Sequence, residues 1–554
     1  MTGRITALVV VSLLFAGSAP LFAQEGFPAD RVDSVFADIN RTDRPGCSLA
    51  IFEDGETVYA KGYGMGNLEY GIALSPRSVF HIASISKQFA AFAVELLVDD
   101  GLVSWDDDIR TYVPEIPDYG ETITLRHLVH HTSGIRDQWT LLIMAGWRWE
   151  ADLVTQNDAL DLLSRQRALN FQPGDEYVYS NSGFTLLAVV VERVTELTLR
   201  EFSHQRIFEP LGMTSTHFHD DHQTVVPDRA YGYMRDDEEG WKISIPDFAI
   251  VGASSLFTTV EDMEKWNDNF RNFTVGSEAA IGRLLTTGVL SSGDDITYAH
   301  GIVVSEYRGL QTIGHGGADA GYRSNYVKFP DQGVGIVCFC NFARANPGAY
   351  VRQVADIVLE DQLAEVEEDA DSPDVDLDRW ADTFESISGY YVDPLTDVPV
   401  NIFVHEGQAH ITRGAASPGR GTPLFPLGDN RFQVGTGDDT VMVEMPGDRP
   451  NALTRDNGRY TYVGKGVTAF DRQDYLGMYE SDELGTEYWF EADTSATGLL
   501  WKHRKHDPVL LMPGHRDAFF FGSVWIVFNR GRTGRVTGYT ISEGRVRKVE
   551  FVKS

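Results

Sequence analysis

The chain has 554 residues, 42% of them hydrophobic, enough for two or three domains with real cores. Its net charge of −34 argues against a nucleic-acid partner and against attraction to anionic membranes. Three cysteines, Cys47, Cys338 and Cys340, exclude a disulfide scaffold.

Residues 1–23 read as an export signal. Arg4 precedes the apolar run "ITALVVVSLLFAG", which is too short to span a bilayer, and cleavage is expected after Ala23. That places the mature protein outside the cytoplasm, periplasmic or secreted, with no stable membrane insertion once the signal is removed. "GCSLAIFEDGETVYAKGYGMGN" alternates around "EDGE" as a β-hairpin does. A helix starts near Ser84 and ends at "DDG", with Gly101 as its C-cap. From there to about residue 290 the pattern is mostly helical. "YAHGIVVSEY", "LQTIGHGG", "SNYVKFPDQG" and "VGIVCFCNF" then read as antiparallel strands, and "AYVRQVADIVLED" as a closing helix. Strands at both ends with helices between predict one α+β domain over residues 24–364, its sheet completed late. In "GIVCFC", Cys338 and Cys340 share a strand face, roughly 6–7 Å apart and too far to bond each other. Three buried thiols are the expectation, with a bridge from Cys47 to one of the others as the alternative.

The acidic stretch 365–378 carries a proline and no periodicity, and reads as a linker. Beyond it, short β-segments repeat. "ISGYYVDPL" from Ile387 is echoed by "YLGMYESDEL" from Tyr475, and "PLGDNRF" from Pro426 by "PGHRDAF" from Pro513. Two small antiparallel barrels or sandwiches, over 379–470 and 471–554, account for this better than one larger sheet.

"HIASISKQFAAFAVELL" raises the chemical question. Ser84 and Lys87, three apart on a helix, share a face, so hydroxyl and amine would meet. Serine attacks only when a base takes its proton. For lysine to be that base, its pKa must fall from about 10.4 to near neutrality, a cost of about 4 kcal/mol met by burial or a neighbouring cation. Alone, such a pair is common, and a capping serine with a snorkelling lysine explains it. Two further stretches change the balance. In "EYVYSNSGFTLLAVVVERV", Tyr179 offers a second proton carrier and Asn181 both an amide acceptor and a donor, just before a long apolar helix. In "TIGHGGADAGYRSN", His315 precedes two glycines whose backbone a substrate can approach closely.

These three elements in this order resemble the penicillin-recognising serine hydrolases, a superfamily of class C β-lactamases, D,D-peptidases, D-aminopeptidases and esterases. The resemblance covers roughly residues 28–360, helped by "TLRHLVHHTSGI", "PLGMTSTHF" and "GASSLFTTVEDMEKW". It implies an α+β catalytic domain: an antiparallel sheet flanked by helices, with a helical subdomain. It implies Ser84 as the acylated nucleophile, Lys87 as its base, and Tyr179 as the proton shuttle to the leaving group and activator of the deacylating water. Asn181 would touch Lys87 and the substrate amide, and the backbone N–H groups of Ser84 and Ala318 would hold the oxyanion, with Gly317 beside them. Where β-lactamases and most D,D-peptidases carry lysine at the third motif, this chain has His315. Histidine is only partly charged at pH 7, which removes a strong carboxylate anchor. Relatives with His-x-Gly there are commonly esterases or D-aminopeptidases, and the D-aminopeptidase branch also carries C-terminal β-domains.

His127, His130 and His131 have zinc-ligand spacing, but their match to the family's His-Thr-Ser-Gly turn assigns them a structural role. His217, His219 and His222 in "THFHDDH" are expected on a surface loop, with adventitious metal binding at most. Arg323 could face the pocket or close a strand-end ion pair. No phosphate-binding loop or nucleotide fingerprint occurs, and neither cofactor nor metal is called for. The expectation is an exported serine hydrolase that acts on a small amide, an ester or a D-residue peptide. The competing readings are a β-lactamase or D,D-carboxypeptidase, and a non-catalytic protein that binds cell-wall fragments.

Overall fold

The computed structural model describes residues 22–23, 26–149, 151–365, 376–414, 421–436, 439–447, 449–455, 458–467, 470–493 and 498–554. Most of the segment read as an export signal lies outside these residues, and so does 366–375 of the acidic stretch. The last two residues of that stretch, 377 and 378, belong instead to a helix, Leu377–Ile387. Its apolar side (Leu377, Trp380, Phe384, Ile387) packs into the β-domain that follows, and burying that side outweighs the acidic composition.

The hairpin read around "EDGE" forms β1 (Cys47–Glu53) and β2 (Glu56–Tyr63). The four late strands are β3 (Val303–Tyr307), β4 (Leu310–Asp319), β5 (Tyr322–Phe329) and β6 (Val334–Cys340). One seven-stranded sheet takes them in the order Phe22–Ala23, β2, β1, β6, β5, β4, β3, with antiparallel neighbours throughout. One face is covered by helices Ala29–Val35 and Pro347–Val358. The other carries the helical subdomain, built around α1 (Ser86–Asp99), α2 (Gln138–Met144) and α3 (Asn181–Thr195). α1 is buried on every side from Ser86 to Leu97, the environment an all-round apolar helix requires. Short strands such as Tyr233–Asp236 and Gly240–Ile243 interrupt the region read as helical.

Cys47 and Cys340 sit opposite each other on paired β1 and β6 and form a disulfide; Cys338 is a buried thiol. The expectation of three free thiols is therefore corrected: a cross-strand register brings residues 293 apart into bonding range, a relation no sequence spacing contains.

The C-terminal region is two closed eight-stranded antiparallel barrels, Gly389–Gly464 and Gly477–Lys553. The repeat is visible in atomic detail. In the first strand of each barrel a tyrosine hydroxyl donates to the carbonyl four residues back, Tyr391 to Ile387 and Tyr479 to Tyr475. A glycine at positive φ, Gly389 or Gly477, opens each strand. Pro426–Phe432 and Pro513–Phe519 both span the turn between the fourth and fifth strands. The second barrel packs on the catalytic unit as one continuous apolar core. Buried Glu483 of that barrel meets Arg136 at 2.6 Å and accepts from Arg167 N–H at 2.8 Å.

Candidate active site

Ser84 lies in the single 3-10 turn Ala83–Ile85 that leads into α1. Three bonds pin that turn. Ser324 donates to the Ile82 carbonyl at 2.7 Å, Ile82 N–H donates to Leu256 O at 3.0 Å, and Ser86 Oγ donates to Ala83 O. Ala83 holds φ +49°, a left-handed conformation costly for a residue with a Cβ, immediately before the nucleophile position.

Lys87 is fully buried. Its Nζ lies 3.1 Å from Ser84 Oγ, 2.9 Å from Asn181 Oδ1 and 2.7 Å from the Ala253 carbonyl. The two carbonyl oxygens can only accept. A neutral amine has two N–H donors and one lone pair, so donating to both leaves the lone pair for the Ser84 hydroxyl. Burial lowers the Lys87 pKa well below its ordinary value; Asp137 and Asp319 oppose this and Arg545 assists it.

Asn181 is oriented by Asp137, a residue the sequence reading did not single out. Asp137 Oδ2 accepts from Asn181 N–H and Nδ2, both at 2.7 Å, while Oδ1 caps α2 by accepting from Trp139 and Thr140 N–H at 3.1 Å. With Nδ2 committed there, Oδ1 must face Lys87.

Tyr179 borders the same cavity as Ser84, and burial raises its pKa, so it rests as a phenol. Its ring lies 4.2 Å from that of His131, which accepts the Ser180 N–H on Nδ1 at 3.2 Å. His131 is thus a packing and positioning residue. His130 pairs with the Tyr298 carbonyl at 3.1 Å and His127 completes a capping box with Thr124. His219 is buried rather than on a surface loop, because His217–Phe218 pairs with Leu256–Phe257.

His315 stands across the cavity. Its Nδ1 donates to the Gly316 carbonyl, which leaves Nε2 to accept from Tyr298 OH at 3.0 Å. Burial, then Lys87, lowers its pKa to about 4, so it is neutral at pH 7 rather than partly charged. β3 begins at Val303 opposite Gly314, so past Gly314 the β4 edge is free of β3 and the Ala83–Ile85 turn lies beside it. Gly317 makes this approach feasible: a Cβ there would collide with Ser324 Oγ and the Ile82 carbonyl. Ala318 lines the cavity immediately before buried Asp319, which accepts from Ser254 Oγ at 3.1 Å and whose pKa burial raises to about 7.

Ser84, Tyr179, Asn181, His315, Gly317, Ala318 and Arg323 all border one cavity of about 620 Å³, with Lys87 beneath it. Arg323 therefore faces the pocket; it also donates to the Ala320 and Tyr322 carbonyls. One wall, however, comes from the far end of the chain. The hairpin between Val536–Glu543 and Val546–Lys553 of the second barrel places Arg545 in the cavity, 4.7 Å over the Tyr179 ring. Its carbonyl accepts from Asp137 N–H at 3.3 Å and Asn170 Nδ2 at 2.8 Å. No local pattern in "SEGRV" signals this; the Ala253 carbonyl at least lies within the quoted "GASS" motif.

Residues 32–359 match the model of the beta-lactamase family. The chain belongs to that family. It is a serine hydrolase of the peptidase or amidase kind. It is similar to a D-aminopeptidase of Brucella anthropi, 26% identical across 92% of this chain and 95% of that protein, and at 25% with the same coverages to one of Brucella canis. The fold resembles that of an octameric penicillin-binding protein homologue from Pyrococcus abyssi (TM-score 0.54, 23% identity, 78% of this chain and 99% of the other). It also resembles a D-amino acid amidase from Ochrobactrum anthropi (TM-score 0.53, 21% identity, 60% and 99%). No helix among the described residues is long and apolar enough to cross a membrane.

Proposed function

We propose that this family member is an exported D-aminopeptidase- or amidase-like hydrolase that works through an acyl-enzyme on Ser84. The observation that carries the reading is the bonding of Lys87: two carbonyl acceptors use both donors of a neutral amine, and its lone pair meets the Ser84 hydroxyl. The Ser84 proton passes to Lys87 Nζ as Oγ bonds to the substrate carbonyl carbon. The oxyanion is held by the backbone N–H groups of Ser84 and Ala318, where side-chain-free Gly317 permits close approach. Tyr179, held as a phenol, donates its proton to the leaving nitrogen or oxygen as the C–N or C–O bond breaks, and recovers it from Lys87. Water then attacks the acyl carbon, giving up a proton to the same pair, which returns it to Ser84 Oγ as the C–Oγ bond breaks and the acid leaves. The neutral His315 supports a D-aminopeptidase-like enzyme over a β-lactamase, which would hydrolyse nitrocefin rapidly.

Export is supported by the Arg4-led apolar run and by a disulfide, Cys47–Cys340, suited to an oxidising compartment. Intact mass of the mature protein should place its first residue at Gln24. For the chemistry, Ser84→Ala should abolish turnover of D-alanine p-nitroanilide and of phenyl esters, together with labelling by a fluorescent fluorophosphonate. Unchanged turnover in the variant would eliminate the mechanism.

A further inference from the structure

The cavity wall holds four chargeable side chains besides His315: Asp137, Asp319, Arg323 and Arg545. Both carboxylates are buried, and Asp319 keeps one acceptor unpaired. Asp137 is fully buried and accepts four N–H bonds. Asp319 takes the Ser254 hydroxyl on Oδ2, and its Oδ1 is shut off from solvent. The two arginines are not spent. Arg545 is exposed at the tip of the barrel hairpin, and neither guanidinium forms an ion pair among the described residues. Arg323 uses only Nη1, on two backbone carbonyls, which fixes its position and leaves Nη2 and Nε free. In a chain with 34 more acidic than basic residues, the open charge of this cavity is positive.

We propose that Arg545 and Arg323 form a carboxylate-binding subsite, so that the preferred substrate bears a free carboxylate, and that the second barrel confers this specificity on the catalytic domain. The guanidinium fork matches a carboxylate in two parallel bonds. The Arg545 backbone is anchored independently of its side chain: its carbonyl accepts from Asp137 and Asn170, and Arg547, two residues on, pairs with Glu176 at 2.8 Å. The barrel thus fixes the backbone from which the Arg545 side chain reaches over the Tyr179 ring. The inference rests on the acyl-enzyme reading of Ser84 and adds the charge of what it acylates with.

Two pairs of probes differ in charge alone: D-glutamyl against D-glutaminyl p-nitroanilide for the acyl side, and D-alanyl-glycine against D-alanyl-glycinamide for the leaving side. In the wild-type full chain, kcat/KM should favour the carboxylate member of at least one pair by ~10- to 100-fold, the range of one or two charge-assisted bonds. The preference should weaken as salt rises. Arg545→Gln and Arg323→Gln should each bring the ratio close to one, and Arg545→Lys should restore part of it. Absence of preference in both pairs, or a preference that survives both glutamine variants, would overturn the proposal. Fluorophosphonate labelling of Ser84 separates the two levels: loss of labelling in the wild type defeats the acyl-enzyme itself, whereas labelling without charge preference defeats only the subsite.

Discussion

Replacing Asp137 with Asn tests whether the base at Lys87 depends on the orientation of a neighbouring amide. Asp137 Oδ2 accepts two N–H bonds from Asn181 at 2.7 Å, and Oδ1 accepts two from the start of α2. An amide has only one acceptor end, so Asp137→Asn leaves two buried donors without a partner whichever way it turns. At ~1–3 kcal/mol for each, stability should fall by about 2–6 kcal/mol and the melting temperature by several degrees. As a helix cap the new Asn costs almost nothing. Asn181, freed from Asp137, can rotate its NH2 toward Lys87 and occupy the lone pair that the Ser84 proton needs. Acylation should then slow by ~10²- to 10⁴-fold, the usual worth of a general base. The charge effect has the opposite sign. Asp137 raises the Lys87 pKa, so its loss alone would favour the neutral amine and speed acylation at acid pH. Single-turnover labelling of Ser84 by a fluorophosphonate, followed by intact mass from about pH 5 to 9, reads the difference. Labelling as fast as wild type, or faster, in a variant with a lowered melting temperature would refute the orientation argument.

Gly317→Ala should cut kcat by roughly 100-fold or more, because the added Cβ meets the Ile82 carbonyl and Ser324 Oγ and pushes β4 off the nucleophile turn; turnover of D-alanine p-nitroanilide measures it. Asp319 has a folded pKa raised to about 7, so the folded state holds a proton the unfolded state has already lost, and stability falls as pH rises from about 4 to 7. Asp319→Asn should flatten that slope and gain as much as about 4 kcal/mol above pH 7, seen by denaturant unfolding against pH. Glu483→Gln weakens the buried pair with Arg136 and should cost about 3–5 kcal/mol; thermal unfolding and limited proteolysis should show the second barrel loosening.

Sequence alone made legible what is local or periodic. Ser84 and Lys87 are one helical turn apart, the apolar run of α1 marks a buried helix, and the β1–β2 turn and the doubled Gly-x-Tyr strands carry their own turn chemistry. Asn181 and His315 were reachable through motif resemblance, because each sits beside a recognisable element. What escaped depends on long-range register. Asp137 matters only because α2 starts against α3, Cys47 bonds Cys340 only because β1 pairs with β6, and Arg545 enters the cavity only because a barrel docks. The charge state of His315 needed its two bonding partners, and the fate of His219 needed the strand pairing of its neighbours.

The sheet order has a consequence for synthesis. β1 is hydrogen-bonded on one side to β2, its neighbour in the chain, but its other edge waits for β6, which begins at Val334. At ~5–20 residues per second, the roughly 280 residues between them take about 15–60 s to emerge from a ribosome. For that interval the nascent hairpin offers an open edge to any passing strand, so growth without chaperone help should favour off-pathway association well before the nucleophile has a site to belong to.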